Sequence, residues 1–236
     1  MLWYKSWLET RPRFLTSLVT LTLFSAVFVY HAQGLIRPQW APDLNRLLFV
    51  NQQFLVIMWI LSVVLLGMGG IIREKAIGTS SLTLALPVGR MRLLTSRIGV
   101  GLLEAIALGL LPWLAVVGVM TIARKPVLVS QVTSYVVLLV AGGLVFFAMG
   151  ILVSSLVGGE YTAPALAFGI VLLVAIISDA WLREYSVWRL VTGDLSINRS
   201  TYLLPQHLPW LGILASLFFA VLMMVASVYS VHRRDF

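Results

Sequence analysis

Long runs without charge recur along this chain, and each is about the length a helix needs to cross the hydrocarbon of a bilayer, ~20 residues at 1.5 Å per residue. With the intervening charges taken as boundaries, six spans result, at 14–36, 47–72, 98–122, 131–157, 162–181 and 208–231. The third carries one acid well inside it, Glu104, and the fifth carries Asp179 near its end. No internal repeat, low-complexity tract or long linker divides the pattern. Residues 1–236 therefore read as one transmembrane domain of an all-α polytopic membrane protein, and the even number of spans puts both termini on one side.

Two stretches outside the spans carry helical pattern of their own. Trp3, Tyr4, Trp7 and Leu8 recur at helical spacing opposite Lys5, Ser6, Glu9 and Thr10, which predicts an N-terminal interfacial amphipathic helix ended by Pro12. The same aromatics would also serve as belt anchors of an ordinary span. Between the second and third spans, Gly78 can break the helix leaving the membrane, Thr79 or Ser80 can cap a new one, and Pro87 stops it after about two turns. On that short helix Leu82, Ala85 and Leu86 share a face, and an apolar face outside the bilayer needs a partner. The segment from Leu182 to His207, between the last two spans, mixes Trp188, Leu190, Tyr202 and Leu203 with scattered charges and predicts short helices dipping into the outer leaflet.

Composition agrees with the pattern. The 236 residues are 60% hydrophobic and only 11% charged, whereas a water-soluble domain carries about 25% charged residues to coat its exterior. The net charge of +8 would suggest nucleic acid if the basic residues formed a patch on a soluble fold. They fall instead in short clusters between spans, as membrane-surface anchors do, so no nucleic-acid partner is expected. With the N-terminus inside, Lys5, Arg11, Arg13, Arg73, Lys75, Arg90, Arg92, Arg97, Arg233 and Arg234 are cytoplasmic, ten against seven outside, which favours cytoplasmic termini. Arg11-Pro-Arg13 leads into a full-length span rather than a short apolar run with a cleavage site, so the first span is expected to stay attached.

Several chemistries lack their residues. With no cysteine there is no disulfide or thiolate site. Nucleotide hydrolysis needs a glycine-rich loop ending in Gly-Lys-Ser/Thr, and no lysine here follows a glycine. His31, His207 and His232 are isolated, which argues against a metal. Ser80 is predicted inside and His31 near the outer face, so they cannot form a nucleophile and base. The chain is read as non-catalytic, binding no cofactor.

The inner loop resembles a known family, the permease subunits of ATP-binding-cassette exporters of the type-2 membrane class. The matching residues are Glu74, Gly78-Thr79, Leu82, Leu84, Leu86-Pro87-Val88, Arg90 and Ser96-Arg97, with Gly89 in place of the usual serine and Arg97 where lysine is commoner. The resemblance implies a membrane subunit, in a bacterial inner or plasma membrane, that pairs with an identical or homologous permease chain and binds two cytoplasmic ATPase subunits carrying ATP and magnesium. It also implies that the loop is a coupling helix, with Thr79, Leu82 and Leu86 entering a groove on the ATPase and Glu74, Arg90 and Arg92 making polar contacts around it. A solvated basic hairpin that only fixes topology is the plainer alternative for the same residues.

Glu104 is costly in a span, roughly 2.5–3.5 kcal/mol at mid-membrane and less near an interface, so it must face a partner or water. A salt bridge to an inner-loop arginine is the expected arrangement, and the inner mouth of a pathway is the alternative. Asn51 and Gln52, with Gln53, enter the second span from outside and can hydrogen-bond across helices. Gly67, Gly69, Gly70 and Gly150-x-x-x-Ser154 permit close helix contact. No dominant polar cavity is visible, which points to a hydrophobic or amphipathic substrate. A secondary transporter, or a non-transporting scaffold or sensor subunit, is the competing reading; the first needs intramembrane ionisable groups, and Glu104 is thin support for it.

Overall fold

The computed structural model describes residues 2–35, 41–68, 90–157, 162–181, 183–205 and 207–232. Among them are seven helices: α1 Leu2–Leu35, α2 Ala41–Gly67, α3 Arg90–Ile122, α4 Val129–Leu156, α5 Thr162–Trp181, α6 Val187–Thr192 and α7 Trp210–His232. All but α6 are long and apolar enough to cross a membrane, and the chain is an integral membrane protein with an all-helical fold. Hydrocarbon offers the backbone no hydrogen bonds, so each span must satisfy its own amides, and helices do so within one segment.

Helices α4, α5 and α7 begin and end within two residues of the spans drawn from the charge pattern. By contrast, α1 starts at Leu2 rather than at residue 14, and α3 at Arg90 rather than at 98. Each is therefore ~50 Å long against a hydrocarbon thickness of ~30 Å, and both overrun at their N-terminal ends. Charges mark where hydrocarbon stops, not where a helix stops.

The break expected at Pro12 is absent: α1 runs through it. A proline in a helix interior deprives the carbonyl four residues back, here that of Leu8, of its donor and costs ~3 kcal/mol. Tertiary packing overrides that cost, because α1 lies along α3 over this stretch. The Trp3 ring lies against Gly99, close enough that a Cβ added there would stand 2.5 Å from its edge. Ser6 meets Ser96, and Thr10 meets Glu104. The residues predicted to form a separate interfacial helix are thus the first turns of α1, with Trp3, Tyr4 and Leu8 facing outward. The predicted coupling helix, Thr79 to Leu86, lies outside the described residues.

Helices α2 and α4 form the most enclosed part of the bundle. Lipid is as apolar as leucine, so close packing and polar contacts must supply what the hydrophobic effect supplies in water. Gly67 and Gly150 provide the packing. A Cβ on Gly67 would stand 2.9 Å from the Phe147 carbonyl oxygen, and one on Gly150 would stand 2.8 Å from that of Val64, so the two backbones touch. Higher along the same pair, the fully buried Trp59 of α2 is wedged between helices. Its ring edge fills the space left by Gly143 of α4, and Gly109 of α3 lies beside its indole nitrogen. That nitrogen donates to the Ala105 carbonyl of α3 at 3.1 Å. One side chain thereby fixes three helices.

Replacing Gly150 with valine should lower stability by ~1–3 kcal/mol, the usual cost of overpacking, because the obstructing atoms are backbone. Gly118→Ala and Gly169→Ala, where an added Cβ meets nothing within 4 Å, should leave stability equal or higher. Thermal melts of the purified chain in detergent would show whether the order holds.

Candidate functional site

Polar side chains inside this bundle gather at two levels. The first, called inner only because it lies at the end of the bundle where α1 begins, is built where α1 runs beside the N-terminal half of α3; the opposite end is called outer. Lys5 pairs with Glu9 one turn on, at 3.7 Å. Glu9 also receives Arg97 of α3 at 3.5 Å. Ser6 Oγ and Ser96 Oγ lie 3.4 Å apart, and Thr10 Oγ1 donates to Glu104 Oε1 at 2.6 Å. Serine and threonine are affordable here because each can also bond its own helix: Thr10 Oγ1 lies 3.2 Å from the Ser6 carbonyl oxygen, and Ser96 Oγ 2.9 Å from that of Leu93.

Arg13 adds a second attachment. Its Nη1 donates to the carbonyls of Met68, the residue after α2, at 2.7 Å and of Leu65, in the last turn of α2, at 3.2 Å. A cation at a helix C-terminus satisfies orphan carbonyls and complements the macrodipole. The helix α1 therefore grips the end of α2 and the start of α3, on either side of residues 69–89.

The outer group closes the opposite end. Ser186 caps α6, accepting from the Arg189 amide, and Gly193 ends it at φ 82°, a left-handed conformation suited to glycine. Leu190, Val191 and Thr192 are buried. Two amides of α2 hold this short helix down: Gln52 Nε2 donates to the Val191 carbonyl at 2.9 Å, and Gln53 Nε2 to that of Thr192 at 3.3 Å. From α4, Gln131 grips Leu204 twice, donating to its carbonyl at 2.9 Å and accepting from its amide at 2.8 Å. The segment between α5 and α7 is thus a packed cap containing one short helix.

Gln52 also accepts from Trp113 Nε1 of α3 at 3.2 Å, and the Trp113 ring stacks on Tyr135 of α4 at 5.1 Å between centroids. Beside it in sequence, Asn51 is fully buried, and neither end of its amide has a hydrogen-bond partner among the described residues. The Tyr135 hydroxyl is in the same condition. Such groups in an apolar interior are exceptions to be accounted for. They can offer a donor and an acceptor to a polar group that enters the bundle.

The residues singled out from sequence therefore separate. Glu104 belongs to the inner group, while Asn51 and Gln52 lie on the outer side. The Trp59–Ala105 contact sets the level of Glu104, eight residues and so ~12 Å along the axis from Asn51. Glu104 takes the Thr10 hydroxyl as a hydrogen-bond partner, and Arg97 pairs with Glu9; Arg73 and the side chain of Arg90, which could also make the expected bridge, lie outside the described residues. The contact of α1 with α3 brings Thr10 beside Glu104, while Arg97, about two turns earlier on α3, reaches Glu9 through its long side chain. The other carboxylate oxygen, Oε2, is buried without a hydrogen-bond partner among the described residues. Of the residues assigned to ATPase coupling, Glu74, Thr79, Leu82 and Leu86 lie outside the described residues. Arg90 opens α3, and Arg92 is exposed on its first turn. Sequence reading missed Thr10, Arg13 and Gln131. Arg13 and Thr10 carried a signal, a polar residue beside a proline in what proves to be a continuous helix.

Two experiments probe these ties. Thr10→Val and Glu104→Leu should each destabilise the chain, while the double variant loses less than their sum; coupling of ~0.6–1.7 kcal/mol is expected for a hydrogen bond between membrane helices. Gln52→Leu should speed hydrogen exchange across residues 187–205 and leave the α1–α3 contact unchanged, as read by mass spectrometry.

No protein-family model and no curated protein matches this chain, so its function is argued from its own residues.

Proposed function

We propose that this chain is the membrane-spanning permease subunit of an ATP-binding-cassette exporter, moving a hydrophobic or amphipathic substrate with energy from a separate ATPase. It would work as a pair of permease chains, identical or homologous, in a bacterial inner or plasma membrane, with cytoplasmic termini and two ATPase subunits beneath. The chain itself hydrolyses nothing; ATP and magnesium belong to the partner.

One observation carries the reading: the loop with the Gly78-Thr79, Leu82 and Leu86-Pro87-Val88 pattern is flanked by helix ends that α1 holds together. Arg13 holds α2 where the loop begins, and Ser6, Glu9 and Thr10 hold α3 over the stretch about two to four turns beyond its start at Arg90. A force applied to the loop by a nucleotide-driven partner would reach α1, α2 and α3 together instead of bending one helix. Ligand binding in the ATPase would then bias an equilibrium between inward-open and outward-open arrangements. A solvated hairpin that served only to fix topology would need no such fastening.

In the complex of permease and ATPase, Leu82→Asp and Leu86→Asp should each abolish substrate-stimulated ATPase activity and co-purification of the ATPase. Arg13→Gln should leave the ATPase bound but reduce stimulation several-fold. Full stimulation in the two aspartate variants, or failure of the wild-type chain to retain any ATPase, would sink the reading in favour of a secondary transporter or a scaffold subunit.

A further inference from the structure

A cavity of about 510 Å³ opens between the outer ends of α2, α5 and α6, beside the outer polar group and sharing Gln53 and Thr192 with it. Its walls divide by chemistry. Phe49, Ile176 and Trp188 form an apolar side, and Asp179, Arg189 and Asp194 form a charged one. Arg189 reaches Asp179 through Nε, while Asp194 pairs at 3.6 Å with Arg199, whose own side chain is 79% exposed. The lining holds two carboxylates and one guanidinium, and Arg199, outside the lining, brings the group to neutrality.

Its depth is set by neighbours. Trp181 and Tyr185 follow the end of α5 and are 85% and 74% exposed, as aromatic belt residues at the headgroup level are. Below them α5 turns Leu172, Leu173, Ile176 and Ile177 outward, an apolar strip leading from the cavity mouth into the hydrocarbon. The space suits a headgroup with its glycerol but not two acyl chains, which would have to lie along that strip.

We infer that this cavity binds the headgroup of a phosphoethanolamine glycerophospholipid, its acyl chains lying on the exposed face of α5. The charges select this occupant. Arg189 spends Nε on Asp179, and the two terminal nitrogens of a guanidinium can serve a phosphate. Asp179 and Asp194 each take one guanidinium and, as carboxylates with about four acceptor sites, can accept further donors; a primary ammonium has three N–H groups to give. A trimethylammonium has none, and an anionic headgroup brings no cation to the carboxylate side. The inference is independent of the exporter reading, since it concerns a bound lipid and not a transport cycle.

Native mass spectrometry of the purified chain, released from micelles holding equal amounts of phosphatidylethanolamine, phosphatidylcholine and phosphatidylglycerol with identical acyl chains, tests it without any ATPase. The ethanolamine lipid should be retained roughly ten-fold over the glycerol lipid, as expected for one charge-assisted hydrogen bond. Arg189→Gln should weaken retention of all three lipids, whereas Asp179→Asn with Asp194→Asn should reverse the preference toward phosphatidylglycerol. Arg124→Gln, in a different loop, should change nothing. Equal retention of the three lipids by the wild-type chain would overturn the inference even if a variant failed to fold. So would choline lipid retained as well as ethanolamine lipid, which would make the aromatic wall the selector.

Discussion

A helix in hydrocarbon gains nothing by hiding leucine from lipid, so this bundle depends on a contact lipid cannot imitate, the backbone approach of α2 to α4 at Gly67 and Gly150. The approach is close enough that no other side chain fits without displacing main chain. It also sets the height at which Trp59 enters the gap left by Gly143, and hence the level at which its indole reaches Ala105 of α3. The heights of both polar groups follow from that one register. Gln52 lies two turns to the outer side of Trp59, within reach of the cap, and Leu65 lies toward the inner end, within reach of Arg13.

The spans were legible because the bilayer imposes a length and excludes charge, and the chain has few enough charges for each to be informative. Helix ends were less so. At α1 and α3 the helix continues past the hydrocarbon because two polar faces match across it, Ser6 with Ser96 and Glu9 with Arg97. Nothing in either face alone announces the other. The local propensity of Pro12 gave a clear signal that proved subordinate, since one missing amide bond costs less than the contacts on both sides of it.

Polar residues showed the same asymmetry. That Asn51, Gln52 and Glu104 would be special followed from burial cost, but which group each would meet did not. Gln52 could have faced any neighbour; it meets a carbonyl of a six-residue helix almost 140 residues away in sequence, together with a tryptophan of α3. Gln131 looked like an ordinary residue at the start of a span and instead forms a two-point clasp on Leu204. Its signal lies in the partner's backbone, which sequence pattern does not display.

These contacts distribute stiffness unevenly. Helices α1, α2 and α3 are joined at the inner end, and α2 and α3 again by Trp59 in the middle and by Gln52 at the outer end, so displacing α2 or α3 requires breaking ties at several depths. Helix α5 is held near its outer end by Ser178 to Ser186 and Asp179 to Arg189, and most of its length faces outward. If force enters through the loop between α2 and α3, it reaches a unit built to move whole. The cap held by Gln52 and Gln53 must then follow α2 or release it, and those two amides are where inner motion meets the outer closure.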